Sequence, residues 1–81
     1  MNILTEINDI ANAYDCFVNF DFDGLQYIDI LVRSAKDETI DERCGAHVSE
    51  SYRDIIFRVL HLCKKVKDRI DEKEEEVKED V

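Results

Sequence analysis

The chain has 81 residues, with 20 acidic against 11 basic side chains and a formal net charge of −9. This length suits a single domain over 1–81, and a chain so short buries only about 60–65% of its unfolded surface, which leaves little room for a deep substrate cleft beside a core. The acidic balance disfavours direct binding to nucleic-acid phosphates and to anionic membrane surfaces, since both need clustered Lys and Arg.

There is no Pro, no Trp and only two Gly, a poverty of breakers that predicts a few long, regular elements. Ile3, Leu4, Ile7, Ile10, Ala11 and Tyr14 recur at helical spacing, which predicts a first helix over about residues 2–14. Asn2 is placed to cap it, and Glu6 and Asp9 lie on its solvent side near the positive end of the helix dipole.

Residues 16–22 then alternate, with Cys16, Val18, Phe20 and Phe22 interleaved with Phe17, Asn19 and Asp21. Asp23-Gly24 follows as a hairpin signal, and residues 25–33 read as the return strand. A two-residue turn would pair Val18 with Asp29 and carry a carboxylate onto the apolar face. A three-residue loop, Phe22-Asp23-Gly24 with Gly24 left-handed, instead pairs Phe20 with Gln26, Val18 with Ile28 and Cys16 with Ile30. That register puts the apolar residues on one face and Asp21 and Asp29 on the other, and is preferred because a slip of one residue moves every side chain across the sheet.

Ser34 to Glu38 reads as a loop. Ile40, Glu42, Cys44, Ala46 and Val48 alternate with charged residues and Gly45, a pattern that fits either a charge-blunted edge strand or an irregular segment. From Ser51 the helical period returns. Ser51 with Asp54 resembles a capping box, and Tyr52, Ile56, Val59, Cys63, Val66, Ile70 and Val77 form a heptad-like seam. Ile55, Leu60 and Leu62 widen the stripe in the first half, which predicts packing on the sheet there. Residues 71–81 form an acidic, helical or frayed tail past the body of the protein. The expected fold class is therefore α+β: an N-terminal helix, an antiparallel β-hairpin extendable to three strands, and a long C-terminal helix.

Charge is unevenly spread. Residues 1–32 hold Glu6, Asp9, Asp15, Asp21, Asp23 and Asp29 and no Lys or Arg, while the tail carries Glu74, Glu75 and Glu76 among its acids. Solvated carboxylates keep a small protein soluble, and the tail fits that role. The hairpin acids also fit a second role. Alternate residues on a strand lie about 6.6–6.8 Å apart, comparable to successive phosphates along a DNA strand, so a rigid acidic sheet is placed to imitate a nucleic-acid backbone and to be steered to a basic groove. Phe17, Tyr27 and Leu31 fall on that same outer face, either covered by a helix or serving as anchors in a protein-binding patch rimmed by the acids.

Other chemistry is weakly represented. Cys44-x-x-His47 and His61-x-Cys63 have the ligand types of a zinc site, but residues two apart on a helix point about 200° away from each other and do not share one ion. There is no Gly-rich phosphate loop and no nucleophile elbow, and Asp21-x-Asp23 lacks the distal Glu of a calcium loop. No catalytic residue, metal or cofactor is expected. Cys16, Cys44 and Cys63 are odd in number, and the N-terminus has no basic stretch followed by an apolar run, so reduced thiols and a cytoplasmic setting are expected.

The amphipathic segment Asn2–Tyr14, the strand Cys16–Phe22 with Asp23-Gly24, and the helix from Ser51 give an order of elements that resembles the small acidic anti-CRISPR proteins of phages and prophages. Some of those have a helix, three strands and a helix, and block a type II CRISPR nuclease at its DNA-recognition surface. The resemblance is one of architecture over most of the chain, and the long charged second helix departs from the compact members. It implies a non-enzymatic DNA mimic that binds a host defence protein in the host cytoplasm, with Asp21, Asp23 and Asp29, and with them Glu6, Asp9, Asp15, Tyr27 and the acidic tail, meeting a basic nucleic-acid-binding partner. The alternative is a homodimeric structural or adaptor module paired through Val66, Ile70 and Val77, positions expected to lie beyond the reach of the chain's own core.

Overall fold

A computed structural model describes residues 2–24 and 26–79, with side chains of the last helix as far as Glu74. In chain order the elements are α1 (Ile3–Ala13), β1 (Cys16–Asp23), β2 (Tyr27–Ser34), β3 (Asp41–His47) and α2 (Tyr52–Glu79). The fold is α+β, and the alternation over residues 40–48 resolves as a third strand. Asn2 caps α1 by accepting a hydrogen bond from the Leu4 amide at 3.0 Å, and Ile7 and Ala11 are buried while Leu4 is exposed. Asp15 turns the chain from helix to strand at φ 53°, a left-handed conformation that Asp tolerates better than most residues.

The sheet is an antiparallel meander in the order β1-β2-β3. Its hairpin register corrects the expected one. Val18 faces Val32, Phe20 faces Ile30 and Cys16 faces Ser34, so β1 ends at Asp23 and β2 begins at Tyr27, rather than the strands closing over 22–24. Gly24 takes the expected left-handed conformation, at φ 73°, but β1 continues through Asp23. The reason lies in strand matching: the expected register leaves Val32 without a partner on β1, whereas the observed one pairs all eight residues of each strand. The partner shifts by four positions, an even number, so each side chain keeps its expected face.

Cys16, Ile30, Val32 and Ala46 from the inner face join Ile7, Ile40, Val59, Leu62, Cys63 and Val66 in one buried cluster. Both helices therefore lie on the same side of the sheet. Phe22 shares the inner face but is exposed, because it sits at the hairpin tip beyond the helices. The β2–β3 loop is built by short polar bonds: the Ser34 hydroxyl accepts from the amides of Lys36 and Asp37, and Asp37 accepts from the amide and hydroxyl of Thr39.

At α2, the Asp54 amide donates to the Ser51 hydroxyl at 3.3 Å, which supplies the cap. The seam of α2 faces the sheet. Val59, Cys63 and Val66 are fully buried, and Ile56 and Ile70 pack partly buried against the core. This corrects the expectation that Val66 and Ile70 reach past the core: both are used within the chain and neither is left needing a partner helix. The side chains of Glu75, Glu76 and Val77 lie outside the described residues. Past Ile70, the Lys73 ammonium pairs with the Asp37 carboxylate, which fastens α2 to the β2–β3 loop. No helix among the described residues is long and apolar enough to cross a membrane.

Val66→Ala removes two methyl groups from a fully buried site and should cost about 2–3 kcal/mol, read as a lower midpoint in urea with unchanged mass in solution. The Lys73 and Thr39 bonds hold the Asp37 carboxyl well below its usual range, and bonds from the His47 amide and Arg58 lower that of Glu50. Carboxyls depressed by folding stabilise the protein above their unfolded pKa, and that contribution is lost as pH falls. Melting temperature should decline from about pH 5 downward, and less steeply in the Asp37→Asn/Glu50→Gln double variant.

Candidate partner-binding surface

With both helices on the inner side, the outer face of the sheet is uncovered among the described residues. It presents Phe17, Asn19, Asp21 and Asp23 from β1, Tyr27, Asp29, Leu31 and Arg33 from β2, and Asp41, Arg43, Gly45 and His47 from β3. Phe17 is 60% exposed and Tyr27 55%, while Leu31 is half-buried. No helix therefore covers the outward aromatics. Tyr27 meets the His47 ring edge-on, centroids 5.3 Å apart, and that contact fixes the aromatic at one corner of the face.

Asp21 and Asp29 are direct cross-strand partners. Like charges placed directly opposite each other destabilise a strand pair. The corrected register thus brings the two carboxylates closer together than the expected one. Arg43 on β3 offsets part of this, its Nε lying 3.3 Å from Asp29 Oδ2. Asp29 is accordingly paired, although no base lies on its own strand beside it. Next to it β3 has Gly45, where an added Cβ would meet nothing nearer than the Ile28 carbonyl oxygen at 4.0 Å. Beside it lies an open depression of about 420 Å³, lined by Asp21, Asp23, Tyr27 and Asp29 together with Phe22, Ile28 and Gly45.

The other predicted acids are not brought to this surface. Glu6 and Asp9 belong to α1, in the layer behind the sheet, and Glu6 accepts a hydrogen bond from the Tyr52 hydroxyl at 2.9 Å. Asp15 lies at the α1–β1 turn, at the end of β1 away from the hairpin tip. Glu74 is exposed near the far end of α2. The compact acidic site is therefore Asp21, Asp23 and Asp29 with Tyr27, and the remaining acids form a diffuse background.

Several contributors were missed in the sequence. Arg43 and Gly45 shape the site only because β3 pairs with β2 in this register, and no one-strand pattern exposes that. Glu50 ties β3 to α2, accepting from the His47 amide at 2.7 Å and from Arg58 Nε and Nη2 at 2.9 and 2.7 Å. Phe57 on α2 is also 60% exposed, an outward aromatic away from the sheet face that helical periodicity alone could have identified.

Burial pushes Cys16 and Cys44 up, and burial beside Cys16 pushes Cys63 up to about 12, which favours the thiol over the reactive thiolate at each. His47 Nδ1 is 2.7 Å from the Ser49 hydroxyl, and the described residues contain no group of three or more His, Cys, Asp or Glu placed to hold a metal. No family model, no curated protein and no solved structure matches the chain.

Proposed function

We propose that this chain is a small acidic inhibitor that acts by binding rather than by catalysis. Its target is a basic nucleic-acid-recognition surface on a host defence nuclease or another nucleic-acid enzyme, where it takes the place of DNA in the manner of the anti-CRISPR proteins. One observation carries this reading: the outer sheet face holds Asp21 directly opposite Asp29, next to exposed Tyr27 and with exposed Phe17 further along β1, and no described helix lies over them. Opposed carboxylates and bare aromatics both cost a free protein stability or solubility. Both gain a role when a basic surface covers them, since the aromatics then anchor and the acids steer and orient.

The rigid sheet supports mimicry in particular. Asp21 and Asp23 are alternate residues of one strand, about 6.6–6.8 Å apart along it. The Asp21–Asp29 pair lies across the strands with Cα atoms about 5.5 Å apart, as in a hydrogen-bonded antiparallel pair. The carboxylates are thus held on a fixed backbone lattice rather than on a loop. Thiols that are buried or half-buried, with their ionisation disfavoured, and an open depression fit a binding protein better than an enzyme.

The test is capture from host lysate on the tagged protein, washed at low and then high salt, with duplex DNA as competitor. The reading predicts a nucleic-acid-binding protein held at low salt, released at high salt and displaced by duplex DNA. Asp21→Lys/Asp23→Lys should reduce its capture about tenfold or more by placing like charge against the basic surface. The same change should leave the fold intact or slightly more stable, because the lysine introduced at the first position would face Asp29 across the strands. Undiminished capture by a folded double variant contradicts the reading.

A further inference from the structure

The two edges of the sheet differ, and the difference follows from the hydrogen-bond parity. At one end of the β2–β3 pair the Ser34 amide donates to the Ile40 carbonyl at 3.0 Å, and at the other the Val48 amide donates to the Gln26 carbonyl at 2.9 Å. Even-numbered residues of β2 therefore face β3, and odd-numbered residues face β1. The Ala35 amide donating to the Asp15 carbonyl at 2.8 Å continues the same parity on the β1 side. Asn19, Asp21 and their odd neighbours in β1 thus bond to β2, and Val18, Phe20 and Phe22 turn their N–H and C=O groups outward.

On β3 the outward groups belong to Asp41, Arg43, Gly45 and His47, and both ends of that edge are closed. The Asp41 carbonyl accepts from Arg69 Nη1 at 2.8 Å. The His47 amide donates to the Glu50 carboxylate at 2.7 Å, and the His47 carbonyl accepts from the Glu50 amide at 3.0 Å. Nothing comparable protects β1. Among the described residues no hydrogen bond reaches the outward backbone of Val18, Phe20 or Phe22. The strand is eight residues long, with no Pro, no Lys and no Arg. Natural proteins commonly blunt an open edge with those devices.

We propose that the β1 edge is a docking site for an extended segment of the basic partner, which adds as a fourth strand. This rests on the reading of the target as basic and specifies how it is held. Charge selects the occupant. Residues of the added strand that lie beside Asp21 and Asp23 share the outer face with them, while those beside Phe20 and Phe22 share the inner face. The fitting segment therefore alternates Lys or Arg with apolar residues. A second copy of this chain is disfavoured, because antiparallel pairing of two β1 edges joins two molecules of net charge −9 along strands that each carry Asp21 and Asp23 and no base.

The probe is a ten-residue peptide of alternating lysine and valine, with an alternating glutamate and valine peptide as control, and the readout is residue-resolved amide exchange. In the free protein the amides of Val18, Phe20 and Phe22 should exchange fast while those of Asn19 and Asp21 are slow. Saturating lysine peptide should slow the three outward amides at least tenfold, and the glutamate peptide should not. Phe22→Pro removes an outward N–H from an exposed position with no internal bond and should abolish this protection, with slow Asn19 and Asp21 amides reporting an intact sheet. Asp21→Lys/Asp23→Lys should reverse the preference toward the glutamate peptide, which tests selection by charge without a proline. Lysine peptide that binds without slowing the outward amides overturns strand addition and leaves the basic-partner reading standing. Outward amides already slow in the free protein, in proportion to its concentration, overturn it in favour of a second copy.

Discussion

The packing of the α2 seam onto the inner face of the sheet is the contact on which the rest depends. Val59, Cys63 and Val66 meet Ile30 and Val32 in a cluster from which water is excluded, and α1 adds Ile7 to the same side. A chain of 81 residues has material for two layers and one core. Once both helices are committed to one face, no described element remains over the other. Its exposure is a consequence of topology rather than of any local preference of Phe17 or Tyr27.

From that constraint the acidic surface takes its form. The strands must match in length to bury Val32, and matching them sets Asp21 against Asp29. Arg43 answers one of the two carboxylates, and Gly45 lines the open depression beside it. Asp37 with Lys73, and Glu50 with Arg58, tie α2 to the β2–β3 loop and to the turn after β3. The sheet is thereby stiffened from behind while its front is left bare, an arrangement suited to presenting fixed charges to another molecule.

The sequence carried the elements more fully than their pairing. Helical spacing from Ile3 to Tyr14 and from Ile56 to Ile70, and alternation from Cys16 to Phe22, are local signals, and each survives folding unchanged. The face of every hairpin residue was legible as well, because an even register shift preserves it. The register itself was not, since it depends on how far β1 runs past the Asp23-Gly24 signal before the loop closes. The reach of the core along α2 was also hidden. Val66 and Ile70 look surplus in a seam read alone and become core residues once β2 and β3 lie beneath them. Of the candidate site, Asp21, Asp23, Tyr27 and Asp29 were identifiable from strand parity, whereas Arg43 and Gly45 enter only through the third strand.

The central claim is that the outer sheet face, and not either helix, meets the partner. The most direct measurement is the footprint of the captured partner on the isotope-labelled protein, mapped by cross-saturation. The account predicts loss of signal at Phe17, Asp21, Tyr27 and Asp29, with the exposed side of α2 around Phe57 unaffected. A footprint centred on Phe57 or along α1, with the sheet face silent, would contradict it.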